Sequence, residues 1–177
     1  MNDAIMDFNI GDTNFISLVN AHRYNSFVDE EWTFEQLKEH FELETKNNNI
    51  LVLQMTNEGV ECDWKIEINN KVSSIKNIEN CFRKDKGYIS VSNNELYLVE
   101  YNCLTMAAQF DDEKVPDEDC SKFKIELENG NYLVDIIQFY DVDRDIRFGN
   151  EDVDIKFVFT KIDTIEPNKE KIYWGTY

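Results

Sequence analysis

The chain has 177 residues, enough to bury a proper core. Apolar residues make up 42%, with twelve Phe, eight Tyr and three Trp, which excludes global disorder. Thirty-six acids against eighteen bases leave a formal charge of −18, a balance that disfavours nucleic acid and anionic membranes and favours basic protein partners.

The N-terminal stretch MNDAIMDFNIGD is acidic and lacks the basic and apolar regions of a secretory signal. No apolar run approaches the roughly 20 residues that span a bilayer, so a cytoplasmic protein is expected. Cys62, Cys81, Cys103 and Cys120 are spaced 19, 22 and 17 apart, with no C-x-x-C. That is neither a zinc spacing nor a dense secreted framework, and it reads as buried, reduced thiols.

In chain order, Asn14–Asn20 reads as a short buried strand, and residues 23–31 as a loop. Thr33 and Gln36 then form a capping box, with Trp32 and Leu37 at the staple positions. Phe34, Leu37 and Phe41 follow helical spacing, and Asn47-Asn48-Asn49 ends the helix, predicted over about 33–46. Ile50–Met55 is a continuous apolar run too short for a helix, hence a central strand. From Val60 to Ile68 every even position is apolar, the pattern of a half-exposed strand. Val72, Ile75, Ile78 and Phe82 fit a short helix within Lys71–Lys86, or a loop.

A hairpin is expected about Asn93-Asn94, pairing Val91 with Leu96 and Ile89 with Leu98. Leu104–Phe110 extends its second strand or packs as a short apolar segment. A second hairpin is expected about Asn129-Gly130, a type I′ signal. Its register pairs Leu127 with Tyr132, Ile125 with Val134 and Phe123 with Ile136, and sets Lys124 opposite Asp135. A strand with apolar Val153, Ile155, Phe157 and Phe159 follows, and the tail ends in Ile172-Tyr173-Trp174. The sum of these elements is one mainly β domain over 1–177, an antiparallel β-sandwich with one early α-helix.

Chemistry is sparse. There are two histidines, His22 in a loop and His40 on the polar side of the helix. There are six glycines, and no dinucleotide, phosphate-loop or nucleophile-elbow motif. No cofactor is implied, and the chain reads as non-enzymatic; an enzyme with an unrecognised carboxylate site is the third reading. The runner-up is a calcium- or ligand-binding module built on Asp141-x-Asp143-x-Asp145, with Asp152 at position 12 of a notional calcium loop. Ile146 stands where that loop demands Gly.

The charge is unevenly spread. Residues 111–120 hold Asp111, Asp112, Glu113, Asp117, Glu118 and Asp119 against Lys114, net −5. Residues 141–154 hold Asp141, Asp143, Asp145, Glu151, Asp152 and Asp154 against Arg144 and Arg147, net −4. Half of the excess thus lies in two segments that the expected hairpin holds at the end opposite Asn129-Gly130. Asp154 apart, these carboxylates are the expected partner-binding residues.

Trp32 leading into a helix, the Ile50–Met55 strand, the Tyr88–Leu98 hairpin and Phe123-x-Ile125-x-Leu127-x-x-Gly130-x-Tyr132-x-Val134 form an order of elements. Over roughly residues 10–140 it resembles the competence-type inhibitors of the DNA-entry nuclease and, more loosely, bacterial immunity proteins. The resemblance implies a small acidic β protein that binds and blocks a basic nuclease or toxin.

Overall fold

A computed structural model describes residues 4–57, 59, 61–70, 80–149, 152–169 and 171–176. Two sheets face each other. The first carries, in spatial order, β1 (Ala4–Phe8), β4 (Trp64–Asn69), β11 (Ile155–Ile162), β8 (Gly130–Gln138) and β5 (Arg83–Val91). The second carries β3 (Ile50–Gln54), β2 (Phe15–Val19), β6 (Glu95–Glu100) and β7 (Lys124–Glu126). Neighbours are antiparallel except β4 and β11, which run parallel with Ile66 opposite Ile155. The expected mainly antiparallel sandwich is therefore what forms.

Alternation explains the core. Ile66 and Ile68, Tyr132, Val134 and Ile136, and Ile155, Phe157 and Phe159 point inward from the first sheet. They meet Ile16, Leu18, Leu51, Leu53, Leu96, Leu98 and Ile125 of the second. The outer face of the second sheet is also buried. There Phe15, Val19, Ile50, Val52 and Val99 pack under α1 (Phe34–Lys46) and α2 (Tyr101–Gln109). Two-sided burial accounts for the unbroken apolar run at 50–53.

Helix α1 starts as its sequence requires: Thr33 Oγ1 accepts from the Gln36 N–H, and Gln36 returns the bond to the Thr33 N–H at 2.7 Å. Leu37 and Phe41 are buried, whereas Phe34 is largely exposed. Of the two expectations for 104–110, the extended strand is not what forms: the segment packs as a short apolar piece, and it is helical, α2 beginning at Tyr101. The Glu100 carboxylate starts it, accepting from the Asn102 and Cys103 N–H groups at 2.7 Å each, and seats Leu104, Ala107 and Ala108 against Val99. Residues 83–86, the end of the possible 71–86 helix, belong to β5; residues 71–79 of it lie outside the described residues, as does Val60.

The Asn129-Gly130 hairpin does not form. β7 pairs with β6, and β8 with β5 and β11, so the two runs lie in opposite sheets and the connection is an arch. Phe123, Ile125 and Leu127 face Tyr132, Val134 and Ile136 across the core instead of lying beside them. Lys124 accordingly sits 3.4 Å from Glu126, and Asp135 pairs with Lys86 at 2.9 Å. Asn129 is tied sideways, its side chain accepting from the Asn94 N–H at 2.7 Å while Asn94 accepts from its N–H at 3.0 Å. The type I′ geometry appears one turn earlier: Asn93 and Asn94 have φ of 54° and 61°, and Glu95 N–H donates to Ser92 O. That hairpin ends after the Ser92–Glu95 bridge, because β5 and β6 separate into different sheets.

The strand β3 lies at an edge of its sheet, not at the centre. Its free side is covered by the tail, where Tyr173 N–H donates to Val52 O at 2.8 Å and Gln54 N–H to Tyr173 O at 3.0 Å.

Candidate protein-binding surface

At one end of the sandwich β1, β3, β6 and β8 finish and β2, β4, β5, β7 and β11 begin. Arg83, the first residue of β5, pins the sheets together there. Its Nη2 donates to Gln54 O at 2.8 Å and Met55 O at 3.1 Å, and its Nε to Gln138 Oε1 at 2.7 Å. Trp174 stacks 4.3 Å from the guanidinium. Burial lowers its pKa to about 10, so it is cationic at neutral pH.

Both acidic segments are rooted at this Arg83 end. The first runs from the C-terminal end of α2 back to the start of β7. Asp111, Asp112 and Glu113 are exposed at that helix terminus, about 13 Å along the helix from its start. Asp117 lies back beside the helix start, accepting from the Cys120 N–H at 2.7 Å, and Glu118 and Asp119 are exposed.

The second segment is not a bare loop: β9 (Tyr140–Asp141) and β10 (Ile146–Arg147) form a small hairpin. Its carboxylates have separate partners. Asp141, expected at the surface, is only 3% exposed and lies 3.8 Å from the Arg144 Nε. Asp143 accepts from the Asn57 N–H. Asp145 accepts from Tyr140 Oη at 2.8 Å, a bond that pushes the phenol up to about 12. Asp152, its side chain fully exposed, pairs with Lys65 at 2.8 Å. Glu151 lies outside the described residues. Asp141, Asp143, Asp145 and Asp152 are thus not gathered around a common point.

Three surface carboxylates were missed. Asp7 is the penultimate residue of β1, and Glu61 and Asp63 precede β4; all are exposed. Glu61 and Asp63 line a cleft of about 380 Å³ with Asn9, Ile10, Gly11, Thr13 and Cys62. A neighbouring depression adds Asp7, Lys65 and the buried Asp154, which accepts from the Lys65 N–H at 2.8 Å and pairs with Arg147 at 2.7 Å. The polar odd positions of 61–67 were the available signal, but only strand pairing brings them beside the 141–152 segment.

The carboxylates with fixed structural partners, Glu100 and Asp154, hold the loops. The exposed ones form an anionic surface on a rigid frame, suited to steering and orienting cationic side chains. The histidines are apart. His22 hydrogen-bonds Glu95 at 3.0 Å near the opposite end, and His40 packs beside Tyr24 with ring centroids 5.7 Å apart, so it does not simply face solvent. Among the described residues one group gathers possible metal ligands, Cys103, Asp117 and Cys120. Cys103 and Cys120 are buried, while Cys62 and Cys81 are only partly so.

No family model matches the sequence, and no curated protein matches it. Among solved structures the chain is similar to one described as crocagin biosynthetic gene J, with TM-score 0.55 and 11% identity over 90% of this chain and 95% of that one. It is also similar to ComJ from Bacillus subtilis, described as an inhibitor of the DNA degrading activity of NucA. There the TM-score is 0.43 and the identity 7%, over 92% of this chain and 96% of that one. The first likeness is one of fold; the second is too loose to bear on fold or function.

Proposed function

We propose that this protein is a non-enzymatic acidic binding module that masks a basic surface of a partner protein, as an inhibitor or immunity protein of a nuclease or toxin. The observation that carries the reading is the gathering of exposed carboxylates from both sheets at the Arg83 end, within a chain of net charge −18. Like charges placed together repel, so solubility alone gives no reason for this clustering, whereas a cationic partner does. The order of elements noted in the sequence is in keeping with a blocker of a nuclease.

The test starts from a low-salt pull-down with the full chain, followed by purification of the captured protein. Its nuclease or toxic activity is then assayed with and without this chain. The reading expects inhibition that weakens with salt, and weakens again when Asp63, Glu118, Asp119, Asp143 and Asp152 are changed to Asn or Gln. That loss should lie mainly in the association rate. A partner whose binding ignores both salt and these substitutions overturns it.

A further inference from the structure

We infer that Cys103, Asp117 and Cys120 form a binding site for a thiophilic divalent cation of the zinc class. Their ligand atoms, two sulfurs and a carboxylate oxygen, all lie within 4.8 Å of one another. Seventeen residues separate the cysteines, so no local spacing announces the site. The fold brings Cys103, in the first turn of α2, to Cys120, at the start of a 3-10 turn ahead of β7.

The donor set decides the class of ion. Two thiolates select zinc-like metals over magnesium or calcium, which prefer oxygen. Zinc bonds of about 2.3 Å to sulfur and 2.0–2.2 Å to oxygen set tetrahedral donors roughly 3.5–3.8 Å apart, a closure of about 1 Å from the widest separation allowed here. Asp117 spends one oxygen on the Cys120 N–H, which fixes its direction, and its other oxygen has no partner among the described residues. Asp117 is partly exposed while both cysteines are buried, which leaves one open side for entry and for a water as fourth ligand.

The surroundings suit thiolates once a cation is present. Cys103 sits in the first turn of α2, where the positive end of the helix dipole favours an anion. Each sulfur binds as its thiolate, with the thiol proton passing to the buffer, so the two thiolates, the carboxylate and the cation together carry −1.

The test uses the full chain, chelator-stripped and kept reduced, titrated with Co²⁺ alone. One equivalent should bind, with the near-ultraviolet sulfur-to-cobalt band and the intense visible bands of tetrahedral cobalt, and one equivalent of Zn²⁺ should remove both. Cys103→Ser and Cys120→Ser should each abolish the two-thiolate spectrum, and Asp117→Asn should weaken binding at least about tenfold. Zn²⁺ should also raise the melting temperature of the parent protein saturably. A reduced parent protein of native circular dichroism that gives no sulfur-to-cobalt band overturns the inference, whatever the variants do. So does a band of undiminished intensity in both cysteine variants, since Cys62 or Cys81 would then be its source.

Discussion

The Arg83 guanidinium donates to two main-chain carbonyls of the second sheet and to Gln138 of the first. Removing it leaves buried acceptors without donors, a cost of about 1–3 kcal/mol for each group that water does not reach. Arg83→Ala should therefore lower stability by about 2–4 kcal/mol in urea unfolding, and Arg83→Lys should recover little, since an ammonium lacks the planar fork. His40 sets a pH dependence. Burial, the largest influence, lowers its pKa below the ordinary 6.5, so the folded state holds this proton less tightly than the unfolded chain. Its contribution is fully present above 6.5 and is lost as pH falls through the folded value. Melting temperatures from pH 7.5 to 5 should fall less steeply in His40→Asn than in the parent protein.

At the scale of elements, the tail closes the sandwich at the edges of β3 and β5. Asn168 does this with one amide. Its Nδ2 donates to Thr45 O, Asn48 Oδ1 and Tyr88 O, and its Oδ1 accepts from the Tyr88 N–H at 2.7 Å. The amide thus stands in for a neighbouring strand beside Tyr88. Gly87 lets the tail close in, for a Cβ there would lie 2.5 Å from the Tyr173 hydroxyl and 2.8 Å from Leu51. Asn168→Ala should cost about 2 kcal/mol or more by urea unfolding. Amide exchange should accelerate at Tyr88 and along β3 before it does in β11. Unchanged protection at both places would mean that the tail is an ornament on an already closed sandwich.

For the whole molecule, a charge of −18 repels itself in the folded state. Salt shortens the screening length from about 30 Å at 0.01 M to about 8 Å at 0.15 M. The melting temperature should rise over that range, because exposed, solvent-screened pairs such as Lys161–Glu128 at 2.8 Å offset little of the repulsion. Neutralising Asp63, Glu118, Asp119, Asp143 and Asp152 together should flatten this salt dependence without unfolding the chain. A parent protein that melts lower in salt would show that attractive pairs outweigh the repulsion.

What was legible in the sequence is what depends on near neighbours along the chain. The Thr33 capping box, the positive-φ turn at Asn93-Asn94 and the inward faces at 64–68, 132–136 and 155–159 all follow from spacings of two to four residues. The inner faces of a sandwich are set by period-two alternation, which specifies what is buried and leaves open which strand lies beside which. Phe123, Ile125 and Leu127 satisfy the same pattern whether Tyr132, Val134 and Ile136 lie next to them or opposite them, and the structure takes the second arrangement. Helix α2 was hidden for a related reason: nine residues are too few to establish a helical period, and its start rests on Glu100, whose burial needs Asp12 and Gly11 from elsewhere. The meeting of Cys103 with Cys120, and of Lys65 with Asp152 and Asp154, rests on contacts between residues 17 and about 90 positions apart. Such proximity comes from the packing of two sheets around one core, which no local spacing encodes.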